Sequence, residues 1–247
     1  DPEQIQLLCR SIKEIIPKAK ILIDQEGGRV ARLRQPEFKD FPAADSFNSS
    51  SSVYANYLKM GQYLYSLGLD SNCAPVADLY YSYADKIIGD RSFGSDVAQV
   101  VDYTRACANA LLDSGILPII KHIPGHGRAL VDSHLELPIV DTKLSELEET
   151  DFAVFKQLND LPLAMTAHVI YTCLDKELPV SLSKKAISYI RNEIGFKGLI
   201  MSDDINMKAL KGNIRDIADQ VFAAGCDIVL HCSGNIDEMK EILKKEK

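Results

Sequence analysis

Three observations predict an α/β protein whose parallel strands curl into a TIM-type (β/α) barrel. Short apolar runs alternate with amphipathic helical segments six times, joined by glycine-containing turns. Each apolar run ends in an ionisable residue: Asp24, Asp78, Lys121-His122, His168, Asp203-Asp204 and His231. In a doubly wound sheet such groups gather at one switch point, whereas in a barrel they converge from every strand on the C-terminal face. Finally, no G-x-G-x-x-G follows any run and no Walker-type lysine loop occurs, which removes the signatures of nucleotide-binding folds.

Taken in order, residues 2–16 read as a helix with Ile5, Leu8, Cys9, Ile12, Ile15 and Ile16 on one face, ended by Pro17. A short strand at 20–24 leads into Gln-Glu-Gly-Gly-Arg-Val-Ala-Arg at 25–32. The Ser49–Ser52 cluster supplies the N-cap of a helix over 53–67, which Gly68 closes. A strand near 71–77 ends at Asp78, and a helix over 96–113 stops at Gly115. Ile116–Ile120 has the length of a buried parallel strand. It runs into residues 121–134, which hold three of the five histidines. Pro124, Gly125 and Gly127 exclude regular helix there. Ser145 and Glu148 predict a capping box opening a helix over 146–158. Strand 162–167, helix 184–194, strand 198–202, helix 214–224 and strand 227–230 follow, and a last amphipathic helix leads to Lys247.

A chain of 247 residues can bury a sizeable core, and the unbroken alternation favours a single domain over 1–247. With 46% hydrophobic and 26% charged residues its composition is that of a globular protein. The net charge of −7 argues against nucleic acid or an anionic membrane surface as the main partner. No apolar run reaches the roughly 18 residues of a transmembrane helix. Six cysteines are scattered without a C-x-x-C pair, as expected of buried free thiols in a reducing compartment.

Several residues can carry chemistry. Asp132 and His134 share one side of an extended loop, where a carboxylate orients an imidazole and raises its pKa toward that of a proton donor. The same residues also suit a surface turn without a role. Asp203 and Asp204 follow Ser202 at a strand end. They read either as helix caps or as one carboxylate, nucleophile or base, aimed into a barrel mouth; adjacent residues point oppositely, so only one is expected there. Asp24, Glu26, Arg29 and Arg32 surround Gly27-Gly28, either as solvated charges or, through Asp24 and Arg32, as a hydroxyl-binding set. Arg91 taken alone reads as an ordinary turn residue. The spacing of His122, His126 and His134 lies outside the common zinc patterns, so no metal and no other cofactor is expected.

Seven ordered segments together are similar to the β-N-acetylglucosaminidases of glycoside hydrolase family 3. They are Ile-Asp-Gln-Glu-Gly-Gly-Arg-Val-Ala-Arg (23–32), Ala-Pro-Val-Ala-Asp (74–78), Ile-Gly-Asp-Arg-Ser-Phe-Gly (88–94), Lys-His-Ile-Pro-Gly-His-Gly (121–127), Asp-Ser-His (132–134), Ala-His-Val-Ile-Tyr (167–171) and Ser-Asp-Asp-Ile-Asn-Met (202–207). Ile123 stands where that family usually has Phe. The resemblance implies a retaining exo-glycosidase with a covalent glycosyl-enzyme intermediate. Asp203 would be the nucleophile, and His134 the general acid/base assisted by Asp132, in place of the second carboxylate of the usual scheme. Asp24, Arg32, Arg91, Lys121 and His122 would hold N-acetylglucosamine. The implied role is cytoplasmic, removing that sugar from muropeptides during bacterial cell-wall recycling. The glycine-rich loop is expected to keep His134 away from Asp203 without ligand.

The resemblance also implies eight strands, of which the sequence contains six; the first two of the family's set are missing, and a family helical tail lies past Lys247. Strands 20–24 and 227–230 are then expected not to pair, leaving apolar edges prone to association. Two rival functions remain open at this stage: a metal-dependent hydrolase using the histidines, and a sugar-binding protein without turnover. The sequence leaves the oligomeric state open.

Overall fold

The computed structural model describes residues 1–133 and 135–244. Its centre is a run of parallel strands in chain order: β1 (Leu22–Ile23), β2 (Ser71–Asn72), β3 (Leu117–Pro118) and its continuation β4 (Ile120–Ile123), β5 (Leu163–Thr166), β6 (Leu199–Asp204) and β7 (Ile228–Leu230). β1, β2 and β3 form one parallel ladder and β4, β5, β6 and β7 another. A parallel bridge between Val76 and Lys121 joins them. Ile119, between β3 and β4, donates its N–H to the carbonyls of Asn72 and Ala74, both at 3.0 Å, so the strand continues through it.

The curl of a barrel is present, and its closure is not. Leu22 of β1 and Ile228 of β7 border the same cavity, so the sheet bends far enough to bring its first and last strands around one interior. Among the described residues, however, β1 pairs only with β2 and β7 only with β6. The strands expected at 20–24 and 227–230 are thus not paired with each other, as anticipated, and the set is open.

Side-chain alternation sorts the strands into two faces. Ile120, Ala164 and Ile200 are completely buried in the core shared with the helices. Their neighbours Ile119, Leu163, Met165 and Met201 form a separate inner cluster with Cys73. Following the inner positions upward, apolar residues give way to charged ones two residues at a time. Leu22 leads to Asp24, Ile119 to Lys121, and Leu199 through Met201 to Asp203. The lower end of the interior is an apolar cavity of about 490 Å³, and the upper end a charged one. Alternation thus places the chemistry at the C-terminal ends of the strands.

The helices follow the sequence closely: α1 (Pro2–Ile15), α2 (Ser50–Ser66), α3 (Val97–Asp113), α4 (Leu144–Glu149), α5 (Asp151–Gln157), α6 (Lys184–Tyr189), α7 (Ile214–Ala224) and α8 (Ile236–Ile242). Ser49 caps α2 by accepting the Ser52 N–H, starting it three residues earlier than expected. The predicted capping box is not formed. The helix begins at Leu144 after Lys143, so Ser145 lies inside it, and Thr150 breaks it at φ −124° and ψ −101° into α4 and α5. α8 stops at Ile242 rather than running to Lys247, and residues 245–247 lie outside the described set. The thiols are only partly as expected: Cys9, Cys73, Cys107 and Cys226 are buried, Cys173 is half-buried and Cys232 is exposed. No described helix is long and apolar enough to cross a membrane.

Just above β1, Gln25–Gly27 pairs antiparallel with Val30–Ala31, a pairing that the sequence pattern does not announce. The Asn72 amide holds it from below, accepting the Gln25 N–H at 3.0 Å and donating to its carbonyl at 2.8 Å. Gly27 makes the turn possible, with φ +102° and no room for a Cβ, which would lie 2.2 Å from the Pro42 carbonyl oxygen. Gly27→Ala should therefore cost more than about 1 kcal/mol of unfolding free energy, read from denaturant midpoints. An unchanged midpoint would mean the turn relaxes freely.

Candidate active site

The upper cavity has a volume of about 310 Å³. Asp24, Glu26, Arg29, Arg32, Arg91, Lys121, His122, Asp203 and Asp204 line it, with Met165 and Leu230 from the strands below. The larger cavity at the opposite end has Lys20 and Asp70 as its charged residues amid mostly apolar walls, and offers no comparable chemistry.

The charged residues form an alternating chain. Arg32 lies 3.3 Å from Asp24, and Asp24 lies 3.1 Å from Lys121 Nζ. Lys121 Nζ is 2.6 Å from Glu26 Oε1, and Glu26 accepts two hydrogen bonds from Arg91, from Nε at 2.8 Å and Nη2 at 2.9 Å. The chain runs from the solvent inward: the Arg32 side chain is 65% exposed, those of Lys121 and Glu26 only 3% and 6%. Burial alone would raise the Glu26 carboxyl; Lys121 and Arg91 outweigh it and bring its pKa to about 2. Burial would likewise lower the Lys121 ammonium, but Glu26 and Asp24 hold it above its usual range. Glu26, Lys121 and Arg91, each held toward its charged form by the others, are therefore ionised at neutral pH.

Asp24, Arg32, Arg91, Lys121 and His122 were expected at one site, and the fold brings all of them to this cavity. Asp203 joins them. Burial would raise its carboxyl, and the nearby His168, His122 and Lys121 together with the Asp204 N–H lower it instead. Against expectation, Asp204 also reaches the cavity wall. The pairing of β6 with β7 shifts register between Met201 and Asp204, so strict alternation ends there. The two carboxylates are nonetheless held differently. Asp204 Oδ1 accepts the N–H groups of Asn206 at 3.1 Å and Cys232 at 3.0 Å, tying together two loops. Cys232, exposed overall but with its thiol partly desolvated on the wall, has that thiol pushed to about 12 by this desolvation and by Asp204, Asp24 and Asp203, so it is protonated at neutral pH.

The remaining strand-end residues support the site from outside. His168 is completely buried; its Nε2 lies 3.0 Å from the Asp204 carbonyl oxygen and its Nδ1 2.7 Å from Ser181 Oγ. A carbonyl can only accept, so Nε2 carries the proton and Ser181 donates to Nδ1. His231 turns to Glu238, 2.8 Å away, and is not on the cavity wall. Asp132 is partly exposed and outside the cavity lining, with its carbonyl accepting the N–H groups of Leu135 and Glu136. His134 lies outside the described residues, so its expected separation from Asp203 does too. No group of three His, Cys, Asp or Glu side chains among the described residues is placed to hold a metal ion.

Sequence reasoning named Glu26 and Asp78 but gave neither a role at the site. Glu26 had a usable signal, because it stands two residues beyond Asp24 and extended chain places both on one side. A lysine in a buried strand also demands more than one counter-charge. Glu26→Gln should loosen Lys121 and Arg91 and cost on the order of 3 kcal/mol at neutral pH, as when a buried pair loses one partner. The Glu26 pKa is depressed, so its stabilisation is present above about 4.5 and is lost as pH falls toward about 2. The variant should thus show a shallower fall of stability over that window, measured by denaturation at stepped pH. An unchanged slope would remove Glu26 from the chain.

Residues 1–247 match the profile described as the Glycosyl hydrolase family 3 N terminal domain. The Beta-hexosaminidase of Glaesserella parasuis serovar 5 is 36% identical over 243 residues, covering 94% of this chain and 70% of the relative. That of Haemophilus influenzae strain KW20 is 38% identical over 245 residues, covering 94% and 69%. Among solved structures, NagZ from Neisseria gonorrhoeae in complex with N-trifluoroacetyl-D-glucosamine superposes with a TM-score of 0.89 at 33% identity, covering 98% of this chain and 73% of that one. A glycoside hydrolase family 3 β-N-acetylglucosaminidase from Paenibacillus sp. str. FPU-7 gives 0.92 at 28% identity, and this chain spans 48% of its length. A match along the whole chain, together with relatives of this identity and coverage, shows that the protein belongs to glycosyl hydrolase family 3.

Proposed function

We propose that this chain is the catalytic unit of a retaining exo-β-N-acetylglucosaminidase that releases terminal N-acetylglucosamine from muropeptides in the cytoplasm. The observation that carries the reading is the ionised Asp203 on the wall of a small cavity otherwise lined by paired charges. Four cations (Arg29, Arg32, Arg91, Lys121) face four carboxylates (Asp24, Glu26, Asp203, Asp204), so the cavity favours a neutral ligand rich in hydroxyls over an ion. Its volume of about 310 Å³ suits one sugar residue better than an oligosaccharide, which supports exo action. The relatives named Beta-hexosaminidase, and the N-trifluoroacetyl-D-glucosamine bound by the gonococcal protein, support N-acetylglucosamine as that sugar.

In this reading a carboxylate oxygen of Asp203 attacks the anomeric carbon while the bond to the aglycone oxygen breaks. His134, oriented by Asp132, gives that oxygen its proton. Water then attacks the anomeric carbon, His134 takes a proton from it, and Asp203 leaves. Asp24, Lys121 and Arg91 hold hydroxyls, their charges fixed in advance by Glu26.

Hydrolysis of a p-nitrophenyl N-acetylglucosaminide, with the matching glucoside as control, tests the activity. Asp203→Ala should lower turnover by about 10⁴-fold or more, whereas Asp204→Ala should retain measurable turnover. The opposite ranking would reassign the nucleophile. Unchanged ligand binding with no turnover in the wild type would make this a sugar-binding protein instead.

A separate prediction concerns the proton donor. Asp132→Ala should slow the enzyme by about 10- to 100-fold and move the limb of its pH–rate profile that reports the imidazole to lower pH, because the carboxylate that raises the pKa is gone. A superimposable profile would dissolve the dyad.

A further inference from the structure

His126 lies outside the cavity wall and is 3% exposed. Its main chain is clamped on both sides. Its N–H donates to Asp78 Oδ1 at 2.7 Å, and the following Gly127 passes Leu79 so closely that a Cβ would lie 2.0 Å from the Leu79 carbonyl oxygen. Asp78 also accepts the His122 N–H at 3.2 Å and lies 2.7 Å from His122 Nδ1, so one buried carboxylate fixes both histidines. From this anchored main chain the His126 ring reaches outward. Its Nε2 is 2.9 Å from Ser133 Oγ, and its Nδ1 has no hydrogen-bond partner among the described residues. A buried side chain retained for packing alone would not carry an unpartnered nitrogen, whose desolvation is a cost. Burial and the neighbouring His122 lower its pKa to about 4, so the ring is neutral at working pH and bonds Ser133 without bringing a charge. Ser133 is itself 2% exposed and stands between Asp132 and His134 in the chain.

We propose that His126 is a positioning residue, which fixes through Ser133 Oγ the short segment bearing Asp132 and His134. The inference rests on the reading of those two residues as the acid/base pair. Its substance is a division of labour between the neighbouring histidines of the motif: His122 faces the sugar, and His126 sets where the proton donor stands relative to the leaving oxygen.

The experiment compares leaving groups. A methyl N-acetylglucosaminide needs protonation of its leaving oxygen, whereas a 2,4-dinitrophenyl one scarcely does. His126→Phe keeps a buried ring but cannot bond Ser133; Ser133→Ala removes the other partner; His126→Gln can place an amide nitrogen near the Nε2 position. The His126→Phe and Ser133→Ala variants are first checked for native circular dichroism. For the methyl glycoside, His126→Phe and Ser133→Ala should each lower kcat/KM by more than about tenfold, the low end for loss of acid catalysis. The dinitrophenyl glycoside should change by less than about threefold, and KM should stay within about threefold because the sugar-binding charges are untouched. His126→Gln should recover most of the loss, and the double variant should be no worse than the worse single one. Equal losses on both substrates, a raised KM with unchanged kcat, additive effects, or wild-type rates in Ser133→Ala would each overturn the proposal. If the wild type turned over neither glycoside, the functional reading would fail with it. Normal turnover with an unaltered leaving-group dependence would sink this inference alone.

Discussion

The contact between Lys121 and Glu26 is the constraint from which the rest of the upper interior follows. Removing two full charges from water costs several kcal/mol per ion, and their mutual attraction offsets this only in good geometry with the remaining donors and acceptors filled. Here the geometry comes from separate parts of the chain. β4 delivers Lys121, the turn above β1 delivers Glu26, and the segment before α3 delivers Arg91 with its fork on the Glu26 carboxylate. Asn72 and Tyr57 hold the Glu26 turn by main-chain contacts, Tyr57 Oη donating to the Glu26 carbonyl at 2.9 Å. Such an arrangement is preorganised: the charged groups hold one another in place without help from any ligand.

Much of this was legible in the sequence because alternation is a local property. The steps from Leu22 to Asp24, from Ile119 to Lys121 and from Met201 to Asp203 can be counted without knowing any tertiary contact. Termini marked by Gly68, Gly115, Gly195 and Gly225 fell where a left-handed residue ends a helix. What local reading could not supply was the partner. Glu26 looks like any loop carboxylate until Lys121, ninety-five positions later, is placed beside it. Asp78 looks like one strand-end acid among several until two main-chain N–H groups are seen on its oxygen.

The errors have the same origin. Ser145 and Glu148 have the spacing of a capping box, but spacing does not say where a helix enters, and this one starts at Leu144. Asp203 and Asp204 were expected on opposite faces because strands alternate, a rule that lapses where the ladder slips register beyond Met201. His231 ends a strand as the others do, yet α8 captures it through Glu238.

Met165 belongs at once to the apolar inner cluster and to the lining of the charged cavity. The two cavities are thus separated by a layer of apolar side chains, Met165 facing the upper and Ile119, Leu163 and Met201 the lower. Below it, change is governed by packing; above it, by recognition. A substitution below it is felt as a change of volume, and one above it as a change in a network of charges.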